Sequence, residues 1–112
     1  MRHQIYDKDS GTMLLNSVTV ADSFWTRFLG LMGTPGLERG SGLLLKNVRS
    51  IHTCFMRYPI HVLYLDSGYR IIADETLAPW RCGRWHPKAR HVLEIGVNDT
   101  MKFYQGMRLT LQ

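Results

Sequence analysis

Two stretches hold most of the side chains able to do chemistry: SIHTCFMRYPIHVLYLD, residues 50–66, and LAPWRCGRWHPKARH, residues 77–91. His52 and Cys54 stand two residues apart, and Cys82 and His86 four apart. Two imidazoles and two thiolates are a ligand set for tetrahedral zinc, if the two pairs meet in space. The familiar Cys-x2-Cys spacing is missing, and two packed thiols beside two loop histidines account for the same residues. A second chemistry is nucleophilic. On a strand, residues i and i+2 share a face, so His52 can lower the thiol pKa of Cys54 while Glu94 orients the base. Against it stands the habit of free cysteines to be small buried hydrophobes, here beside Met56.

The second stretch suggests a different chemistry. Arg81, Arg84, Lys88 and Arg90 surround Trp80 and Trp85. Cations that meet phosphates and indoles that stack bases are the parts of a nucleic-acid or acidic-partner surface. The chain contains no recognised DNA- or RNA-binding motif, and arginine–tryptophan contacts also stabilise loops on their own account. Finally, Arg27, His52, Met56, Trp80 and Glu94 offer apolar walls with a few polar groups, as a small-ligand pocket needs. A bidentate Arg27–Glu94 pair would fit such a pocket and would equally serve structure alone.

The elements that must position these residues are mostly strands. HQIY and TMLLNSVTV flank the turn signal DKDSG, and GLLLKNV follows a glycine-rich loop. IHVLYLD and YRIIADET are joined by DSG, the signature of a hairpin, with Pro59 confined to the strand's start. Apolar residues on both sides of that hairpin predict a central position buried on both faces. HVLEIG and MRLTLQ complete the strands, with NDTMKFYQG as a single helical turn between them. Phe24, Phe28 and Met32 recur at helical spacing in DSFWTRFLGLMG, so one amphipathic helix is expected there as core. His61 is expected to be a satisfied strand histidine, His91 carries no signal, and Asp74 and Glu75 are expected to solvate the hairpin's end.

The 112 residues suit one domain, residues 1–112, able to hold a core without staples. Hydrophobic residues are 45% and charged ones 21%, an ordinary globular balance that excludes a disordered chain. No apolar run is long enough to span a bilayer. The N-terminal MRHQIYDKDS lacks the apolar core of a signal peptide, so the expected compartment is the cytoplasm and Cys54 and Cys82 are expected as thiols. The net charge of +5 permits contact with a polyanion without requiring one. The absence of alternating strand–helix units and of a glycine-rich phosphate loop excludes the common nucleotide-binding folds.

In order and spacing, FLGLMG, GLLL, SIHTCFMRYPIHVLYLD with its DSG hairpin, LAPWR and VLEIG resemble the DUF192 family over most of the chain. Phe55 and Met56 take the places of its aromatic–methionine pair, and Arg57, Pro59, Ile60 and Asp66 match around them. Arg27, Gly30, Leu31 and Met32 match its helix motif, and Glu94 matches its Leu-Glu strand motif. His61 departs from the pattern, standing where the family usually has Asp. The resemblance implies a compact, mainly β domain of jelly-roll or barrel type. It implies no activity, since the family is a domain of unknown function, and relatives often carry export signals.

The expected fold is mainly β: an antiparallel jelly-roll-like sandwich or small barrel with one amphipathic helix. The expected function is a non-enzymatic small-ligand or partner-binding role near His52–Met56 and Trp80, in a monomer without a cofactor. The rival readings are a Cys54/His52 or zinc-dependent enzyme, and an adaptor docking through the basic loop.

Overall fold

The computed structural model describes residues 3–21, 38–48, 58–78 and 83–112. Seven strands form one sheet: β1 (His3–Asp7), β2 (Met13–Ala21), β3 (Ser41–Lys46), β4 (Ile60–Leu65), β5 (Ile71–Leu77), β6 (His91–Ile95) and β7 (Leu109–Leu111). Their order across the sheet is β5-β4-β6-β3-β2-β1-β7. A 3-10 helix, Val97–Lys102, lies between β6 and β7. The mainly β expectation is met. The strands fall on apolar runs that stop at Gly, Asp, Asn and Pro. The predicted helix lies outside the described residues.

One pairing corrects the expectation of a wholly antiparallel sheet. β2 and β3 run parallel, with Ser17 opposite Ser41 and Val20 opposite Leu44. Parallel neighbours need a crossover of a dozen or more residues, and the stretch between Ala21 and Ser41, which bears the predicted helix, is long enough. The other described pairs are antiparallel.

The sheet is not closed into a barrel, yet its two edges are tied at one end. Arg70 before β5 bridges Arg108 before β7. Around that bridge Ile71 N–H donates to Met107 O at 2.9 Å, Gly106 N–H to Ile71 O at 2.7 Å, and Leu109 N–H to Tyr69 O at 3.0 Å. The sheet therefore curls around an inner core to which all seven strands contribute, including Ile5, Leu15, Val18, Leu44, Leu63, Leu93, Ile95 and Leu109. Gly42 of β3 makes the tightest approach there. A Cβ at that position would meet Leu15 Cδ1 at 3.1 Å, Glu94 O at 3.2 Å and Leu93 Cδ1 at 3.4 Å.

A second, outer core uses the opposite side of the central strands: Leu43, Leu45, Ile60, Val62, Tyr64, Leu77 and Val92, with Ala89 from the loop before β6. β4 is accordingly buried along its whole length. β5 is not. It is an edge strand, with Asp74 and Thr76 exposed, so the two-faced burial expected of the hairpin holds for its first strand only. The physical reason is that Ile71 and Ile72 sit at the hairpin's turn end. Beyond them β5 reads Ala73, Asp74, Glu75 and Thr76, with no large apolar group before Leu77 at its end.

Candidate functional site

The outer face carries the chemistry. On β6, Val92 and Glu94 point to it while Leu93 and Ile95 point inward, as strand alternation requires. Glu94 is opposite Leu43 on one side and Val62 on the other, and Val62 is opposite Glu75. One transverse row thus reads Leu43, Glu94, Val62, Glu75. The two acids are separated by two strand spacings, roughly 10 Å. Glu94 is only 1% exposed. A carboxylate that deep is tolerated when it is paired or hydrogen-bonded, and Glu94 is engaged rather than isolated.

Glu75 has a defined task. Its Oε2 accepts the phenol O–H of Tyr64 at 2.6 Å and the backbone N–H of Arg84 at 2.8 Å. Burial first, and then the Glu75 hydrogen bond, push the Tyr64 phenol well above its usual range, so it stays a proton donor. The ring of His86 packs on Tyr64 with centroids 4.3 Å apart. Farther along, Ala89 is buried in the outer core and Arg90 N–H donates to Leu65 O at 2.7 Å. Residues 83–90 therefore lie along β4 on the outer face, from the level of Glu75 to that of Leu65. Glu75 thus departs from the expectation that the Asp74–Glu75 pair solvates the hairpin's end. It is the acceptor that pins this loop.

The residues singled out from sequence divide as follows. Glu94 is a buried outer-face acid. His86 is held against Tyr64. Arg84, Lys88 and Arg90 are all exposed. Arg27, His52, Cys54, Met56, Trp80, Arg81 and Cys82 lie outside the described residues. The described residues that flank them are informative. Val48 and Tyr58, on either side of the His52–Met56 segment, pack against the outer core, as does Leu77 before the Trp80 segment. Among the described residues no three His, Cys, Asp or Glu side chains converge to hold a metal. Among them, too, no helix is long and apolar enough to cross a membrane.

Two histidines had more to do than their sequence positions suggested. His61 is buried on the inner side of β4, and its ring bridges two residues of β5. Nδ1 lies 2.8 Å from Thr76 Oγ1 and Nε2 lies 2.7 Å from Asp74 Oδ2. A carboxylate only accepts, so Nε2 carries a proton, and in the neutral ring Nδ1 accepts the threonine hydroxyl. The expectation of a satisfied strand histidine holds, with Asp74 as its partner rather than a free acid. His61→Ala is expected to cost about 2–4 kcal/mol, from two lost hydrogen bonds and a cavity. Urea unfolding measures it, and a loss below about 0.5 kcal/mol would show the bridge to be decorative.

His91, at the start of β6, ties two left-handed turns together. Asn47 and Tyr69 are the two described non-glycine residues with positive φ, at 61° and 63°. Asn47 N–H donates to His91 Nδ1 at 3.2 Å, and the Tyr69 ring packs on the imidazole with centroids 4.9 Å apart. Burial, then the charges of Lys46 and Arg90, hold the imidazole below its usual pKa of 6.5, with Asp66 opposing. The folded protein keeps His91 neutral and the unfolded chain takes up the proton first. Stability is therefore full above pH 6.5 and is lost as pH falls below it. Between about pH 7.5 and pH 5, the melting temperature of His91→Gln, which keeps an acceptor and cannot charge, is expected to fall less than that of the unaltered protein. Equal falls in the two would refute it.

Comparison with known proteins agrees with this architecture. A UPF0127 protein of Thermococcus sibiricus is 33% identical over 103 residues, spanning 85% of this chain and 66% of that protein. The UPF0127 protein PH1112 of Pyrococcus horikoshii is 39% identical over 90 residues, spanning 76% of this chain and 78% of that one. Two crystal structures share the fold. One, from Sinorhizobium meliloti and described as a "putative transcription regulator", superposes with a TM-score of 0.75 at 21% identity, over 97% of this chain and 91% of that one. The other, a protein of unknown function from Novosphingobium aromaticivorans, superposes with a TM-score of 0.76 at 12% identity, over 98% and 84%. With the DUF192 family (Uncharacterized ACR) matched over residues 5–111, from the first strand to the last, the chain belongs to that family.

Proposed function

We propose that this chain is a non-enzymatic binding domain whose ligand or partner sits over the outer face of the sheet. Arg27, His52, Met56 and Trp80 would line the site and Glu94 would form its floor. One observation carries the reading. The described residues flanking the His52–Met56 and Trp80 segments, namely Val48, Tyr58 and Leu77, pack on the very face that buries Glu94. A buried acid on an otherwise apolar wall is a costly feature that a merely structural face does without. In this reading Arg27 is the partner of Glu94, held so that the rest of its guanidinium meets the ligand.

The test is thiol titration of the native protein together with its zinc content. A binding domain keeps Cys54 and Cys82 slow towards a disulfide reagent, at least about tenfold slower than free cysteine, with no stoichiometric zinc. A Cys54 faster than free cysteine would replace this reading with the cysteine-enzyme one. One zinc per chain with both thiols protected would replace it with a His52, Cys54, Cys82 and His86 centre.

A further inference from the structure

The exposed side of the pinned loop has a composition that its anchoring role does not explain. Its sheet-facing members are His86 on Tyr64 and the buried Ala89. Its solvent-facing members are Arg84, Trp85, Pro87, Lys88 and Arg90. Trp85 is 63% exposed, on a backbone fixed by Glu75 before it and by Leu65 after it. A large indole left in water costs free energy that a mobile loop could escape by folding it inward, and this loop is held open. Preorganised aromatics flanked by cations are what recognition surfaces are made of.

We infer that Trp85, with Arg84, Lys88 and Arg90, forms a docking platform for single-stranded nucleic acid, the indole stacking a base and the cations meeting phosphates. Two observations favour this occupant over an acidic protein. The other exposed large hydrophobic side chains among the described residues are Met13, Val97, Met101 and Tyr104, on β2 and around the 3-10 helix. Apart from Pro87, no described neighbour of Trp85 in the loop offers it the apolar rim that a protein hot spot needs to exclude water. A base asks only for one π-face and adjacent positive charge. The spacing also fits. The loop runs from the level of Glu75, opposite Val62, to that of Leu65, three residues along β4. The backbone that bears the three cations thus covers roughly 10 Å, a length over which a nucleic-acid strand carries two or three phosphates. The net charge of +5 adds long-range attraction to any polyanion.

Fluorescence anisotropy with a labelled oligothymidylate of about ten nucleotides tests it on the full chain. Three phosphate contacts predict a log–log salt slope of about −2, so a tenfold rise in salt should weaken binding about 100-fold. Trp85→Ala, at a largely exposed residue, should weaken binding about tenfold while leaving the circular dichroism spectrum unchanged. Arg84→Ala, Lys88→Ala and Arg90→Ala combined should flatten the slope. The inference is overturned if the oligonucleotide does not bind at low salt, or if both variants bind it as the unaltered protein does. It is also overturned if a polyglutamate peptide binds as tightly as the oligonucleotide and is indifferent to Trp85→Ala, which would assign the platform to an acidic protein.

Discussion

In a double-mutant cycle, Arg27→Ala and Glu94→Ala are each expected to destabilise the protein by about 3–5 kcal/mol, and the double variant by little more than either alone. The argument starts from Glu94, buried between Leu43 and Val62 on a face that is otherwise apolar for three strands. Taking such a carboxylate out of water is costly, and a guanidinium in bidentate contact is the partner that offsets it most fully. If Arg27 is that partner, as proposed, removing one member leaves the other desolvated and unpaired. Removing both leaves an apolar face with a cavity, which costs less than the sum. Urea unfolding of the four proteins gives the coupling energy directly. A coupling of about 2 kcal/mol or more supports the pair. Additive losses would mean that Arg27 does not meet Glu94, and the charged half of the proposed site would have to be sought elsewhere.

The second large effect belongs to the inner core. Leu93→Ala should cost about 3–5 kcal/mol and lower the melting temperature by roughly 10–20 °C. Leu93 is 0% exposed at the middle of the sheet, opposite Leu44 on β3 and Leu63 on β4. Sheet backbone surrounds it on both sides, so the site has little freedom to collapse when Cγ and both Cδ carbons are removed. The absence of a side chain at Gly42 is part of the same packing, since even a methyl group there would press on Leu93, Leu15 and the Glu94 carbonyl. Leu93→Met, which keeps the volume, should cost less than about 1.5 kcal/mol. If Leu93→Ala and Leu93→Met were equally mild, the inner core would be looser than the buried surfaces imply.

The strands were legible in the chain because their signals are local. Alternating or continuous apolar runs end at DKDSG, DSG, Pro59 and the glycine-rich loop, and β1, β2, β3 and β4 each begin or end within a residue or two of those marks. The β4–β5 hairpin is the clearest case, since its turn and its pairing both lie within one short stretch. The family was legible too, because spaced motifs survive divergence where any one of them would be uninformative. Glu94 could be singled out as an acid in an apolar strand.

Strand order could not be read in this way. β6 pairs with both β3 and β4, β2 runs parallel to β3, and β7 joins β1. These contacts join residues far apart in the chain, and no local periodicity encodes which distant strand is the neighbour. The same limit hid the work of Asp74, Glu75 and His91. In sequence, Asp74 and Glu75 are an unremarkable acidic pair near the end of a hairpin. Alternation along β5 sends one inward to His61 and the other outward to Tyr64 and the Arg84 amide. His91 gains its role only where the ends of β3, β4 and β6 meet. Composition and spacing thus settle which segments become strands and which family they belong to. Tertiary pairing alone decides which face each side chain joins, because a polar group's role depends on the donors and acceptors that folding brings within about 3 Å of it.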